Sequence, residues 1–302
     1  MSAPEQCIVC SVAGNSVRWN DLDIFECPVC GLAWRATFDL PATYYAELHA
    51  TDEGIERGKL DARLRNSRSR YATVQRFLPA QGICDVGCGE GSFMSVLREM
   101  GHEACWGIEP SRFACNAARE EGFDVEEGVI ENLAHIKKNR PLMAATAFHV
   151  IEHVTDPRSM LHTLHDALPS GGTLVLETPD AWAPLQRITG HANALIYPEH
   201  LFYFTPTSLV RLLREAGFTV RVLTHRSFDW NNASIRASLT RLGMRFSESS
   251  PTPYSGSGTS KRVQSTVNSQ GGFLRSIIRS ALAHLVHLFE RDDYLLVVAQ
   301  RI

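Results

Sequence analysis

The chain has 302 residues, enough for one sizeable core and a small additional module. Apolar residues make up 44% and charged residues 21%, and 30 Lys and Arg stand against 33 Asp and Glu for a formal net charge of -3. That balance gives no reason to expect a nucleic-acid partner, and no apolar run is long enough to predict a transmembrane segment. The first ten residues, MSAPEQCIVC, carry no basic-then-apolar leader, and the cysteine usage fits a reducing cytoplasm.

Four of the eight cysteines form two pairs, Cys7-x-x-Cys10 and Cys27-x-x-Cys30, separated by 16 residues, with Gly31 behind the second. Two thiolate pairs at this spacing can close a tetrahedral site around zinc. With all four ligands from protein there is no open position, so the ion is expected to be structural. Thiolates alone do not choose between metals, so an iron–sulfur cluster is the alternative, and unmetallated cysteines are the third. Residues 17–19 and 23–26 are expected to be the small strands of a zinc-ribbon-like module over 1–40. A helical approach segment over 41–78 follows. It carries Tyr44 and Tyr45, then an Arg-rich helix over 56–77 that packs through Leu60, Leu64, Tyr71, Val74 and Phe77.

Residues 83–91 read ICDVGCGEG, a short apolar strand running into Gly87, Gly89 and Gly91. An amphipathic helix follows, with Phe93, Val96 and Leu97 on one side. Strand, glycine turn and helix make a nucleotide-type loop, where a Cβ would forbid the turn or hold a ligand off the backbone. The next strand, 102–108, ends at Glu109, 24 residues after Asp85. A carboxylate at that tip can accept both hydroxyls of a ribose. A helix over 111–121, a strand over 123–126 and the turn Gly128-Val-Ile-Glu131 come next. The strand 143–148 leads into Phe148-His-Val-Ile-Glu-His-Val154, then a helix to Leu168, the turn Pro169-Ser-Gly-Gly172 and a strand over 173–178. This alternation of strands and helices implies a parallel sheet covered on both faces.

Residues 179–205 form the expected substrate loop, with Trp182 near its start and Tyr197-Pro-Glu-His200 near its end. Thr205 caps a helix over 206–216 that stops at Gly217, and a strand over 218–224 follows. Residues 231–244 read as helix, and 245–272 as a mobile insertion rich in Ser, Thr, Gly and Pro, either lid or linker. An amphipathic helix over 273–289 would pack on the sheet, on a second subunit of a homodimer or on a membrane surface. The last strand spans 293–300.

The glycine loop resembles the first motif of class I S-adenosylmethionine (SAM) dependent methyltransferases. Its G-x-G-x-G spacing after Asp85 differs from the G-x-G-x-x-G of dinucleotide dehydrogenases. The FHVIEHV segment and the block around His200 resemble the small-molecule branch that includes ubiquinone-type O-methyltransferases. A thiolate knuckle ahead of such a domain is similar to bacterial enzymes that methylate nucleotide sugars or secondary metabolites. The fold implied is α/β, a Rossmann-like seven-stranded SAM methyltransferase sheet over 79–302 with helices on both faces and an antiparallel last strand.

The resemblance also implies a site. Asp85, Gly87, Cys88, Gly89, Glu109, Pro110, Val129, Ile130, Phe148 and His149 are the implied cofactor residues, with Tyr45, Arg70 and Tyr71 over the methionine carboxylate. His149 stands where many relatives carry an acid. His149, Glu152 and His153 also have a spacing that permits a second metal, although metal-free relatives carry the same residues. His200 is the candidate general base, since an imidazole accepts protons near neutral pH; Glu199 and His153 are its candidate companions. The function implied is methyl transfer from SAM to a small-molecule acceptor, a nucleotide sugar or a secondary-metabolite intermediate. O-, N- and C-methylation stay open, because the nucleophile belongs to the acceptor. Two alternatives are a protein or nucleic-acid methyltransferase that recognises its substrate through the ribbon, and a non-catalytic SAM-fold binding or assembly protein.

Overall fold

The computed structural model describes residues 4–19, 21–38, 57–102, 104–133, 140–180, 182–183, 199–226 and 294–302. The Tyr44–Tyr45 pair, the helices expected over 231–244 and 273–289 and the 245–272 insertion lie outside the described residues.

Three short strands open the chain: β1 (Asn15–Trp19), β2 (Leu22–Glu26) and β3 (Ala33–Arg35). They form an antiparallel meander in which β1 pairs with β2 and β2 with β3. Helix α1 (Arg57–Val74) leads to β4 (Ile83–Val86), whose four residues are all buried. Helix α2 (Ser92–Glu99) turns Phe93, Met94, Val96 and Leu97 inward. β5 (Cys105–Glu109), α3 (Arg112–Glu120) and β6 (Asp124–Glu127) complete the first half. β7 (Ala144–Phe148), α4 (Pro157–Ala167) and β8 (Thr173–Pro179) begin the second. Asp156 starts α4 by accepting a hydrogen bond from the Ser159 amide, with Pro157 in the first turn where no amide donor is needed. β9 (Phe202–Tyr203), α5 (Pro206–Glu215), β10 (Phe218–Arg226) and β11 (Tyr294–Arg301) end the described chain.

Seven strands make one sheet in the order β10-β11-β8-β7-β4-β5-β6. β4 to β8 run parallel, and β11 lies antiparallel between β8 and β10. All seven residues of β8 are buried, as expected for a strand covered on both faces. The chain moves outward from β4 to β6 and then returns to the other side of β4 with β7. The strand order therefore reverses between β4 and β7, and the crevice at their carboxyl ends is where such sheets take ligands.

The meander is larger than the two strands read from the sequence. β9, from the far side of the substrate loop, adds to β3 with Ala33 opposite Tyr203 and Trp34 opposite Phe202. The second sheet therefore has the order β1-β2-β3-β9. The four paired cysteines border the same core as the α5 residues Leu209, Leu212 and Leu213, so buried surface is continuous from the meander to the larger sheet.

Candidate cofactor and acceptor site

Gly87, Gly89 and Gly91 have φ of 68°, 55° and 83°, the left-handed region that disfavours side chains. A Cβ on Gly87 would lie 2.6 Å from Val150, and one on Gly91 would lie 2.8 Å from the Phe123 ring. A Cβ on Gly89 would meet no protein atom within 4 Å, so this is the place where a ligand can approach the backbone. Beside it, the Gly89 amide donates to Glu109 Oε2 (2.9 Å), and the Ser111 amide donates to Oε1 (2.9 Å). Glu109 is thus held in a fixed plane at the carboxyl tip of β5, with Pro110 leading into α3. The loop geometry and the placed carboxylate fit a nucleoside-bearing cofactor such as SAM.

Asp85 lies beneath the loop, buried, and Oδ1 accepts from Thr146 Oγ1 at 2.5 Å. Burial pushes its pKa up to about 7; the Thr146 hydrogen bond and the Arg70 charge oppose this, and the Glu109 charge adds to it. Next to β7 and β8 lies a group of buried charges that the sequence reading missed. Arg70 donates to Glu177 Oε1 through Nε (2.8 Å) and its terminal nitrogen (2.5 Å), and Arg226 donates to Oε2 (2.6 Å). His149 has φ of 58°, and its ring nitrogens lie 3.3 Å from Glu152 and 3.2 Å from Glu177. Burial alone would lower the His149 pKa, but the two carboxylates outweigh it and hold the imidazole above its ordinary value. The sequence signal for Glu177 was a charged residue inside the apolar run Thr173-Leu-Val-Leu-Glu-Thr178.

Several expected cofactor residues turn out to face elsewhere. Ile130 is buried in the core, whereas Val129 is 47% exposed, next to a Gly128 amide that donates to the Glu109 carbonyl. Ile130 is therefore corrected to a core residue. Cys88 packs back against Met94, Cys115 and Phe123, so only its backbone belongs to the loop. The Phe148 ring lies against Phe93 and under the Arg70 guanidinium, 4.6 Å from its centroid. Arg70 is engaged with Glu177 and Phe148 as an ion-pair partner. Tyr71 is corrected as well. His102 donates through Nδ1 to the Pro79 carbonyl and accepts from the Tyr71 hydroxyl at 3.2 Å, which places Tyr71 at the amino ends of the strands. Tyr45 lies outside the described residues.

Beyond the carboxyl end of β7, Glu152, His153 and His200 come together. Their ligand-bearing atoms lie within 4.8 Å of one another, and the two imidazole centroids are 4.8 Å apart. His153 donates to the Glu199 carbonyl (3.0 Å), and the Glu152 carbonyl accepts the Leu201 amide (2.8 Å). Thr178 donates to Glu152 Oε2 (2.9 Å). Burial would raise the Glu152 pKa, but the His149 hydrogen bond and the charges of His153, His149 and His200 hold it down at about 2. The grouping differs from the His149–Glu152–His153 set read from spacing: His149 bridges Glu152 and Glu177, and His200 joins Glu152 and His153. His200 is buried, with the Tyr203 ring 6.0 Å away.

Cys7, Cys10, Cys27 and Cys30 also converge, with all four sulfurs within 4.8 Å of one another. Cys7 Sγ and Cys30 Sγ are 3.7 Å apart. A tetrahedron with Zn–S bonds of about 2.3 Å has S···S edges of about 3.8 Å, so this donor set fits zinc. The two turns share one hydrogen-bond pattern. Cys7 N donates to the Val12 carbonyl and Ser11 N to the Cys7 carbonyl; Cys27 N donates to Leu32 and Gly31 N to Cys27. Ser11 (φ 56°) and Gly31 (φ 70°) occupy equivalent left-handed positions. Amides of Val9 and Cys10 donate to Cys7 Sγ, and Arg211 of α5 donates to Cys10 Sγ, each at 3.4 Å.

Sheet order, glycine loop and the glutamate at the tip of β5 define the class of SAM-dependent methyltransferases. The family described as "Methyltransferase domain" matches residues 57–223, and the chain belongs to it. It is 27% identical over 177 residues to a tRNA U34 carboxymethyltransferase of Desulfotalea psychrophila, covering 53% of this chain and 52% of that protein. It is 26% identical over 181 residues to a ubiquinone biosynthesis O-methyltransferase of Alkalilimnicola ehrlichii, covering 54% of this chain and 70% of that one. The match thus spans about half the length of the first relative. A SAM-dependent methyltransferase from Archaeoglobus fulgidus shares the fold, with a TM-score of 0.51 and 19% identity over 85% of this chain and 100% of that one. Among the described residues no helix is long and apolar enough to cross a membrane.

Proposed function

We propose that this methyltransferase acts on a small-molecule acceptor, a nucleotide sugar or a secondary-metabolite intermediate, in the cytoplasm. The observations that support the reading are a glycine loop with a fixed carboxylate, Glu109, and a separate buried group of Glu152, His153 and His200. In this reading Glu109 with the glycine loop serves the cofactor, and His200 with Glu152 and His153 serves the acceptor. Bound SAM supplies a methyl group on a sulfonium, a good leaving group. In this reading Glu109 accepts the ribose hydroxyls, Gly87 and Gly89 let the backbone approach, and Asp85 with its Thr146 partner supports the loop from below. Val129 is the exposed side chain available to an adenine. His200 takes the proton of the acceptor nucleophile, and the Glu152 carboxylate stabilises the imidazolium that forms. Glu199 and His153 position that imidazole through their mutual hydrogen bond. Alignment of nucleophile and methyl supplies much of the rate, so loss of the base alone need not abolish it. The four cysteines hold a structural zinc.

A nucleic-acid acceptor is the second reading, since the Desulfotalea relative is named for a tRNA substrate. The net charge of -3 does not favour it. The test is transfer of isotope-labelled methyl from SAM to pooled nucleotide sugars, phenolic metabolites and, separately, unmodified tRNA, read by mass spectrometry. Label in a small molecule, reduced at least tenfold by His200→Gln, is expected. Label confined to tRNA would overturn the small-molecule reading.

A further inference from the structure

The cysteine module touches the acceptor half of the site at several independent points. β9 is only two residues long, and its one pairing partner among the described strands of the meander is β3. The Arg35 amide donates to the Leu201 carbonyl at 2.9 Å, extending that pairing to the residue after His200. Thr205 Oγ1 donates to the Cys30 carbonyl (2.7 Å), and the Trp182 indole donates to the Gly31 carbonyl (3.0 Å). These last two bonds join the second knuckle itself to both described ends of the substrate loop. Packing follows the same route. Trp19 of β1 sets its ring against Tyr203 at 5.2 Å, and Tyr203 sets its ring against His200 at 6.0 Å. On the opposite side the Glu152 carbonyl holds the Leu201 amide, so His200 sits between two clamps. The cofactor side is built otherwise, with Glu109 fixed by the Gly89 and Ser111 amides and the loop carried by β4 and β5.

We infer that the four-cysteine module is a positioning element for the acceptor half: by holding the second knuckle it sets β9, and through β9 the place of His200. A two-residue strand has too few hydrogen bonds to hold a position alone, so its order depends on its two supports, β3 on one side and the Glu152 carbonyl on the other. A metal at the cysteines closes the turn whose carbonyls Thr205 and Trp182 use. Losing the metal therefore loosens residues 199–205 while leaving the glycine loop in place. The inference rests on the proposed roles of His200 and the cysteines, and it adds that metal loading governs acceptor chemistry separately from cofactor binding.

The full chain is purified with its metal content measured, then stripped with a thiol reagent plus chelator and reloaded with zinc. Amide hydrogen exchange is followed by mass spectrometry, SAM binding by calorimetry, and the imidazoles by nitrogen NMR, with the His200 signal assigned by its loss in His200→Gln. Stripping is expected to speed exchange in 201–205 at least tenfold and to shift the His200 signal. It should leave the His102 signal, exchange in 83–91 and SAM affinity within twofold of their starting values, and zinc should restore the rest. Unchanged exchange and an unmoved His200 signal after stripping would overturn the inference. SAM affinity lost along with the metal would also overturn it, showing that the module supports the whole fold. A chain that neither carries metal nor takes up zinc sinks the reading of the cysteines and this inference with it. Failure of the metal-loaded chain to bind SAM sinks the methyltransferase reading first.

Discussion

Two guanidinium groups and an imidazole converge on the Glu177 carboxylate, and this arrangement decides what a single substitution there does. Glu177→Gln leaves Arg70 and Arg226 buried with their shared counter-ion gone, a change that typically costs about 3–5 kcal/mol. The expected result is a fall in Tm on the order of 10 °C by scanning calorimetry, with Glu177→Asp falling less. Asp85 acts with the opposite sign of charge stability. Its carboxyl ordinarily titrates at 3.8, and burial holds it up to about 7 in the folded chain. Between those values the folded state binds the proton and the unfolded state releases it, so stability present below pH 3.8 is lost as pH rises through 7. Asp85→Asn removes that loss. Without SAM, its unfolding free energy relative to the parent, from denaturant melts, should climb from pH 4 to 7 and then level, by up to about 4 kcal/mol. A difference that stays flat across that range would show that Asp85 is ionised throughout. Asp85 was legible in the sequence from its place before the glycines, but its partner Thr146 comes from a strand 61 positions away and has no sequence mark of its own.

The knuckles show how much of an element spacing can carry. CxxC pairs predict two similar turns, and the turns do share their hydrogen bonds, yet one closes on Ser11 and the other on Gly31. A non-glycine residue in the left-handed region costs about 1 kcal/mol. Ser11 is exposed, so Ser11→Gly should raise stability by roughly 0.5–1 kcal/mol, while Gly31→Ser should lower it by more. At Gly31 a Cβ would lie 3.1 Å from Thr205 Cγ2 and 3.3 Å from the Trp182 indole nitrogen, so crowding adds to strain. Thermal melts of the two variants check this, and equal effects of either sign would contradict it. The long alternating elements from β4 to β8 were legible because apolar runs and glycine turns repeat there. β9 was not. Two residues have no periodicity, and its partner β3 lies far away in sequence. Ile130 and Tyr71 were assigned to the site by their place along the chain in similar enzymes, but which way a side chain turns is decided by packing, here into the core and toward His102.

At the scale of the whole molecule, the seven-stranded sheet and the meander share a continuous core, and the proposed cofactor and acceptor groups come from different parts of the chain. Sequence motifs pick out both proposed groups, because the glycine loop, Glu109 and the His200 block are local patterns. The Arg70–Glu177–Arg226 group and the β3–β9 pairing depend on contacts across more than 40 positions and are visible only in the folded chain. The central claim is that the carboxylate at the tip of β5 and the Gly89 backbone form the cofactor seat. The most direct measurement is calorimetric titration with SAM and with S-adenosylhomocysteine of the parent chain and of Glu109→Ala, with the variant's fold checked by circular dichroism. Micromolar binding weakened at least tenfold in the folded variant, about 1.4 kcal/mol or more, is the expected result. Equal affinity in both, or no binding by the folded parent, would contradict the account.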